Sequence, residues 1–264
     1  MTTTQAVVHL LSSRQWAALA GPTVLIAIML WAFRKGHGRF GFPLGYLLAF
    51  GLYWIGWCLI FPAFLLGGWR ALVDLFQPVA AFGALSWVTH LLLWWPIVFP
   101  LLFMFLPRLR KANWAILLAS LALGIVIGVT EEILWRGVYL RLFPGNIWLG
   151  LLYPSLLFGL WHICPLSVLA NKLPGGAASF VIYAVLLGLT YGLAAQRTGS
   201  IYWPTVAHVI HDTLGLGGFT YAACARRSRR LPLENLGPPP LVQRCAEHLA
   251  PGGGRGADHS RHRG

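Results

Sequence analysis

The chain has 264 residues, of which 57% are hydrophobic and 10% charged, with a formal net charge of +13 and a mean hydropathy of +0.67. A water-soluble domain of this size has no way to cover that much apolar surface, so lipid is the solvent for most of it. The positive charge lies in short clusters between apolar runs and in the C-terminal tail, as loops flanking membrane spans do, which excludes a continuous basic groove and a nucleic-acid partner.

A helix needs about 20 apolar residues to cross the hydrocarbon core, and seven segments are candidates. They run from Trp16 to Phe33, Leu44 to Leu66, Val79 to Leu106, Asn113 to Leu142, Ile147 to His162, Gly175 to Ala195 and Ile201 to Ala223. No small-residue cleavage site follows the first, which is expected to be a retained span. The third contains Pro96 and Pro100 and is expected to kink or break. Between the second and third, Gly68 to Gln77 reads as an interfacial helix. There Asp74 stands four residues after Arg70, a spacing suited to a local ion pair. The expected fold is therefore all-α, a polytopic bundle of about seven spans (six to eight) over residues 1–225.

Arg34, Lys35 and Arg39, then Arg108, Arg110 and Lys111, then Lys172, then Arg226, Arg227, Arg229 and Arg230 follow the odd-numbered spans. Each alternate loop holds one arginine. With seven spans this bias places the N-terminus outside and the C-terminus inside. From Arg226 to residue 264 the composition turns basic and rich in Gly and Pro, a tail expected to be disordered and able to meet anionic lipid heads. Its Gly/Ala/Arg bias points to a bacterial source and the cytoplasmic membrane. The cysteines, Cys58, Cys164, Cys224 and Cys245, have no metal or redox spacing.

The first 225 residues contain four acids, Asp74, Glu131, Glu132 and Asp212. The last three fall inside apolar segments, where an ionisable group costs at least about 2.5–3.5 kcal/mol unless it faces partners in the bundle interior. Glu132 and Arg136 are four apart in the favourable order for a helical ion pair. Glu131 is turned about 100° away and lacks that partner, as a carboxylate free to act as a general base would. His162 ends the fifth segment. In the seventh, His208 and Asp212 share a helix face, and His211 lies off it. His90 in the third segment has no companion and reads as structural or interfacial. Three segments thus each present a carboxylate or histidine: together they could hold a water, deprotonate it and stabilise an oxyanion. Glu131, His162 and His208 are also ordinary donors for a divalent metal such as zinc.

The order Glu-Glu-x-x-x-Arg at 131–136, Phe-x-x-x-His at 158–162 and His-x-x-x-Asp at 208–212 resembles the CPBP family, the intramembrane CAAX-type prenyl endopeptidases and their bacteriocin-processing and immunity relatives. The resemblance covers about residues 113–215, with a family-like core at 113–223. It implies an intramembrane glutamate endopeptidase acting on a membrane-associated peptide, lipidated in some members. In that scheme Glu131 activates water, His162 helps hold it, Arg136 holds Glu132 in support, and His208 with the residue four later stabilises the oxyanion. Phe158 is a structural member of its motif. Both metal-dependent and metal-free mechanisms belong to the family, and the Glu131 inventory suffices without an ion. The eukaryotic prenyl proteases place Asn where this chain has Asp212.

Two other readings use the same residues: a proton- or metal-coupled transporter, for which matching broken halves are missing, and a non-catalytic scaffold or immunity-like protein of the same fold. A helical ruler leaves one tension. Glu131 lies about 27 Å along its segment from Asn113 and His208 about 10 Å into the last from Ile201, while His162 falls at the far end of the fifth. A shared site requires that segment to be displaced or its boundaries to differ.

Overall fold

The computed structural model describes residues 11–41, 44–107, 114–169 and 176–228, with side chains to Gly215 in the last stretch. The described residues are helical, with connecting turns and no strand. Eight helices follow in chain order: α1 Ser13–Phe40, α2 Leu44–Leu66, α3 Trp69–Asp74, α4 Trp87–Phe105, α5 Trp114–Leu142, α6 Trp148–Leu166, α7 Gly176–Thr198 and α8 Tyr202–Ser228. Six of them (α1, α2, α4, α5, α6 and α7) are long and apolar enough to cross a membrane. The seventh expected span is α8, which carries His208, His211 and Asp212. The chain is an integral membrane helical bundle. The tail from residue 229 lies outside the described residues.

The helix starts follow local chemistry. Ser12 caps α1 in a capping box with Gln15, each side chain satisfying a backbone N–H that the helix leaves free. Ser86 accepts from the Thr89 N–H and caps α4, so the third span begins at Trp87, not at the expected Val79. Residues 79–86 form a connecting segment with one 3-10 turn. Asn146 accepts from the N–H groups of Trp148 and Leu149 at the start of α6. Tryptophans at or near helix starts, Trp16, Trp69, Trp87, Trp114 and Trp148, are strongly exposed, the pattern of an aromatic belt at the lipid–water boundary. Exposed Leu47, Ile55, Leu118 and Ile182 face outward.

Inside the bundle α5 packs most extensively against α8, and α6 against α7; α1 pairs with α2, and α4 leans on both α7 and α8. The closeness of α5 and α8 has a sequence cause. A Cβ on Gly128 would stand 2.8 Å from the Val209 backbone nitrogen, and one on Gly124 would stand 3.0 Å from the Val209 carbonyl oxygen. Two small residues one turn apart let the backbones meet, as membrane helices lacking a hydrophobic driving force require. The bundle is held at one end by side chains from α1, α5 and α6: Gln15 donates to the Leu142 carbonyl at 2.8 Å, Tyr139 to Ala18 at 2.7 Å, and Tyr153 to Leu19.

Two expectations are corrected here. Arg70 and Asp74 form no ion pair among the described residues; α3 is a single short helix ending at Asp74, and the chain continues in tight turns, with the Leu75, Phe76 and Gln77 N–H groups bonded three residues back. The fifth span also continues past His162 to Leu166, because Pro165 sits in the short terminal turn, not at a point that would break the helix earlier. The depth tension eases once both helices are measured from the end they share, because α5 runs on to Leu142. Counted from the shared end of the antiparallel pair, Glu131 lies about 16 Å from Leu142, and Phe158 and His162 lie about 15 and 21 Å from Trp148.

Candidate active site

Glu131 and Glu132 close the α-helical part of α5, and the next five residues, Ile133–Gly137, form a π-helical turn. Such wide turns often mark functional positions in helices. Here the turn carries Arg136, whose guanidinium stands 3.0 Å from Glu132 Oε1. The Arg136 guanidinium also lies 4.3 Å from the centre of the Phe158 ring and 5.9 Å from that of Tyr191. A cation sealed at 3% exposure thus has a carboxylate and two aromatic faces around it.

Glu132 has a second partner that spacing within α5 could not reveal. His208 Nδ1, on α8, donates to Glu132 Oε1 at 2.8 Å. The other ring nitrogen, Nε2, faces Asp212 Oδ2 at 3.6 Å and Glu131 Oε2 at 3.9 Å. One imidazole therefore stands between carboxylates on both of its edges. The two glutamates differ in access: the Glu132 side chain is fully sealed, while that of Glu131 keeps 4% exposure. Both are buried, and the one that keeps a trace of exposure is the one that Arg136 does not hold.

His162 is half-buried, and its Nδ1 donates to the Phe158 carbonyl at 2.8 Å. Its Nε2 is then its free nitrogen. The Phe158 ring joins it to the rest, 4.8 Å from the His162 ring and 6.3 Å from the His208 ring, edge-on to both. Asp212, His208 and Arg136 are its charged neighbours. No hydrogen bond or ion pair joins His162 to Glu131 among the described residues. Glu131, Glu132, Arg136, His208 and Asp212 lie in one network of short contacts, and His162 meets it across the Phe158 ring.

Three contributors lie outside that set. His211, read from the helical wheel as off the face of His208, donates through Nδ1 to Asp212 Oδ1 at 3.0 Å. The wheel fails because an Asp side chain reaches back to its neighbour. Tyr183 on α7 meets His211 Nε2 at 2.9 Å. Tyr53 on α2 is fully buried and accepts from Trp135 Nε1 at 2.8 Å; its hydroxyl also faces the Glu131 carboxylate. A tyrosine within a strongly apolar segment was the available signal for Tyr53 and Tyr183. His90, by contrast, is structural as expected: Trp94 Nε1 donates to its Nδ1 at 3.3 Å. Cys58 and Cys164 are buried free thiols.

For a metal, the donor types fit but their arrangement does not. Among the described residues no three His, Cys, Asp or Glu side chains are grouped to hold an ion. His208 has Nδ1 committed to Glu132, and His162 meets His208 only across the Phe158 ring.

Residues 112–214 match the family model described as Type II CAAX prenyl endopeptidase Rce1-like. The match includes α5, α6, α7 and the site-bearing part of α8, hence all seven motif residues. Over that region, less than half of the chain, the protein is similar to that family. No curated protein and no solved structure matches the chain.

Proposed function

We propose that the chain is an intramembrane endopeptidase in which Glu131 activates water. The observation that carries this reading is the His208 ring, braced on one edge by Glu132 and turned on the other toward Glu131, which Arg136 does not hold. Charge balance assigns the roles. Glu132 and Asp212 as carboxylates are offset by Arg136 and a doubly protonated His208. Glu131 is then the group that takes a proton and returns it.

In this mechanism a water between Glu131 and His162 gives a proton to Glu131 as its oxygen bonds to the scissile carbonyl carbon. His162 Nε2, with Nδ1–H committed to Phe158, accepts the water's other hydrogen and orients it. The carbonyl oxygen gains the electron pair and is met by His208 Nε2–H. Preorganised donation to such an oxyanion is worth about 10²–10³ in rate. When the C–N bond breaks, the proton on Glu131 passes to the leaving amine. Glu132 and Arg136 hold the His208 ring, and no step is routed through an ion. The substrate is a membrane-associated peptide, lipidated peptides being the class to try first. Asp212 serves as an acceptor that orients His208, so Asp212→Asn, which keeps an acceptor oxygen, is expected to remain active.

The test is cleavage of membrane peptides by purified protein, wild type against Glu131→Gln. The expected loss is about 10²–10⁴-fold with folding unchanged. A variant that still cleaves refutes the role of Glu131. Survival of partner binding as the whole phenotype would favour a scaffold, and ion-coupled flux would favour a transporter. Metal analysis of the same sample, with activity after chelation, tests the ion-free scheme.

A further inference from the structure

Asp212 is held from a direction that the motif does not contain. Its Oδ1 accepts from His211 Nδ1 at 3.0 Å while its Oδ2 faces His208 Nε2 at 3.6 Å. His211 is held in turn: its Nε2 stands 2.9 Å from the Tyr183 hydroxyl, which reaches the Pro96 carbonyl on α4 at 3.3 Å. That carbonyl is available for a sequence reason. Pro100, four residues on, has no N–H to give it. The Tyr183 and His211 rings also pack against each other, with centroids 5.8 Å apart. The line therefore crosses from α4 through α7 to α8 and ends at His208, which is bonded to α5.

Its hydrogen-bond direction is determined at the important end. A carboxylate oxygen only accepts, so His211 Nδ1 carries a proton in either of two arrangements. In one, Tyr183 donates to a neutral His211. In the other, His211 is doubly protonated, and Tyr183 accepts from it and donates to Pro96. Both arrangements keep the His211 ring in one orientation and the Asp212 carboxylate in one rotamer.

We propose that Tyr183 and His211 are positioning residues: by fixing Asp212 they hold its second oxygen against His208 Nε2, and so set the direction in which that imidazole presents its proton. Part of the test rests on the endopeptidase reading and part does not.

The experiment uses the full chain in nanodiscs, labelled with ¹⁵N-histidine, as wild type, Tyr183→Phe, His211→Ala and His211→Asn. In Tyr183→Phe the ring-nitrogen signals of both His211 and His208 are expected to shift, the second through Asp212. If His208 does not move in Tyr183→Phe or His211→Ala, the proposal is overturned, whether or not the protein cleaves anything. In the activity arm, His211→Ala is expected to lose about tenfold in kcat at unchanged KM, the worth of one ordinary hydrogen bond. His211→Asn, whose amide can replace Nδ1–H, should recover most of that. Equal loss in both variants would also overturn it. Wild type that cleaves no peptide while its His208 signal still follows Tyr183 would sink the endopeptidase reading and leave the positioning line standing.

Discussion

The two halves of this bundle remain folded in lipid by different chemistry. Helices α1–α4 are joined to the rest largely by aromatic packing: Phe33, Tyr46, Phe50 and Trp54 cluster together, and Tyr53 stacks on Trp161 with centroids 3.7 Å apart. Helices α5 and α8 are joined by charge: every side-chain ion pair among the described residues lies within or between these two and belongs to Glu131, Glu132, Arg136, His208, His211 or Asp212. Aromatic packing tolerates small shifts, because many weak contacts share the load. A sealed charge cluster does not, because each group left unpaired faces a low dielectric. The difference separates a frame from a site, and each half can be tested by making it behave like the other.

The largest effect is expected in the charged half. Arg136→Met leaves Glu132 buried beside one partner and should destabilise the protein by about 3–5 kcal/mol. Thermal unfolding in detergent measures this, and Arg136→Met combined with Glu132→Gln should recover much of the loss. If the single variant is as stable as wild type, the cluster does not hold α5 to α8.

Gly128→Leu attacks the same contact through sterics alone. Its side chain would enter the Val209 backbone, a form of overpacking that costs about 1–3 kcal/mol. The His208 to Glu132 bond should lengthen, and activity should fall with stability. Preserved activity would mean that the close approach is not needed to build the site.

Tyr53→Phe probes whether the aromatic half reaches the charged one. It removes the acceptor for Trp135 and the hydroxyl facing Glu131, and a loss of about 0.6–2 kcal/mol is expected, as for other hydrogen bonds between membrane helices. If kcat is unchanged, α1–α4 are frame only. The smallest effect is expected for Asp212→Asn, within a few-fold of wild-type activity by the same cleavage assay, since the Asn oxygen can accept from His208 Nε2 while its NH2 donates to His211 Nδ1 in the other tautomer. Complete loss in a folded protein would show that the negative charge at Asp212 is itself required.

The sequence by itself determined the solvent, the helices and the seven residues of the motifs. Apolar length is a property of a segment, and ionisable residues stand out against lipid because each one carries a cost that calls for an explanation. The Glu132–Arg136 pair was legible too, since both ends lie on one helix and spacing sets their distance. Tertiary structure decided everything that crosses between helices. No pattern within α5 could show that Glu132 belongs as much to His208 as to Arg136. No helical wheel of α8 could bring in His211, because Tyr183 comes from α7 and the carbonyl of Pro96 from α4. The depth of His162 was hidden for the same reason: it depends on where α6 ends and on how α5 and α6 share a boundary. Bond partners across a bundle are set by which backbones can approach, and Gly124 and Gly128 write that condition in residues whose meaning emerges only when the opposing helix is in place.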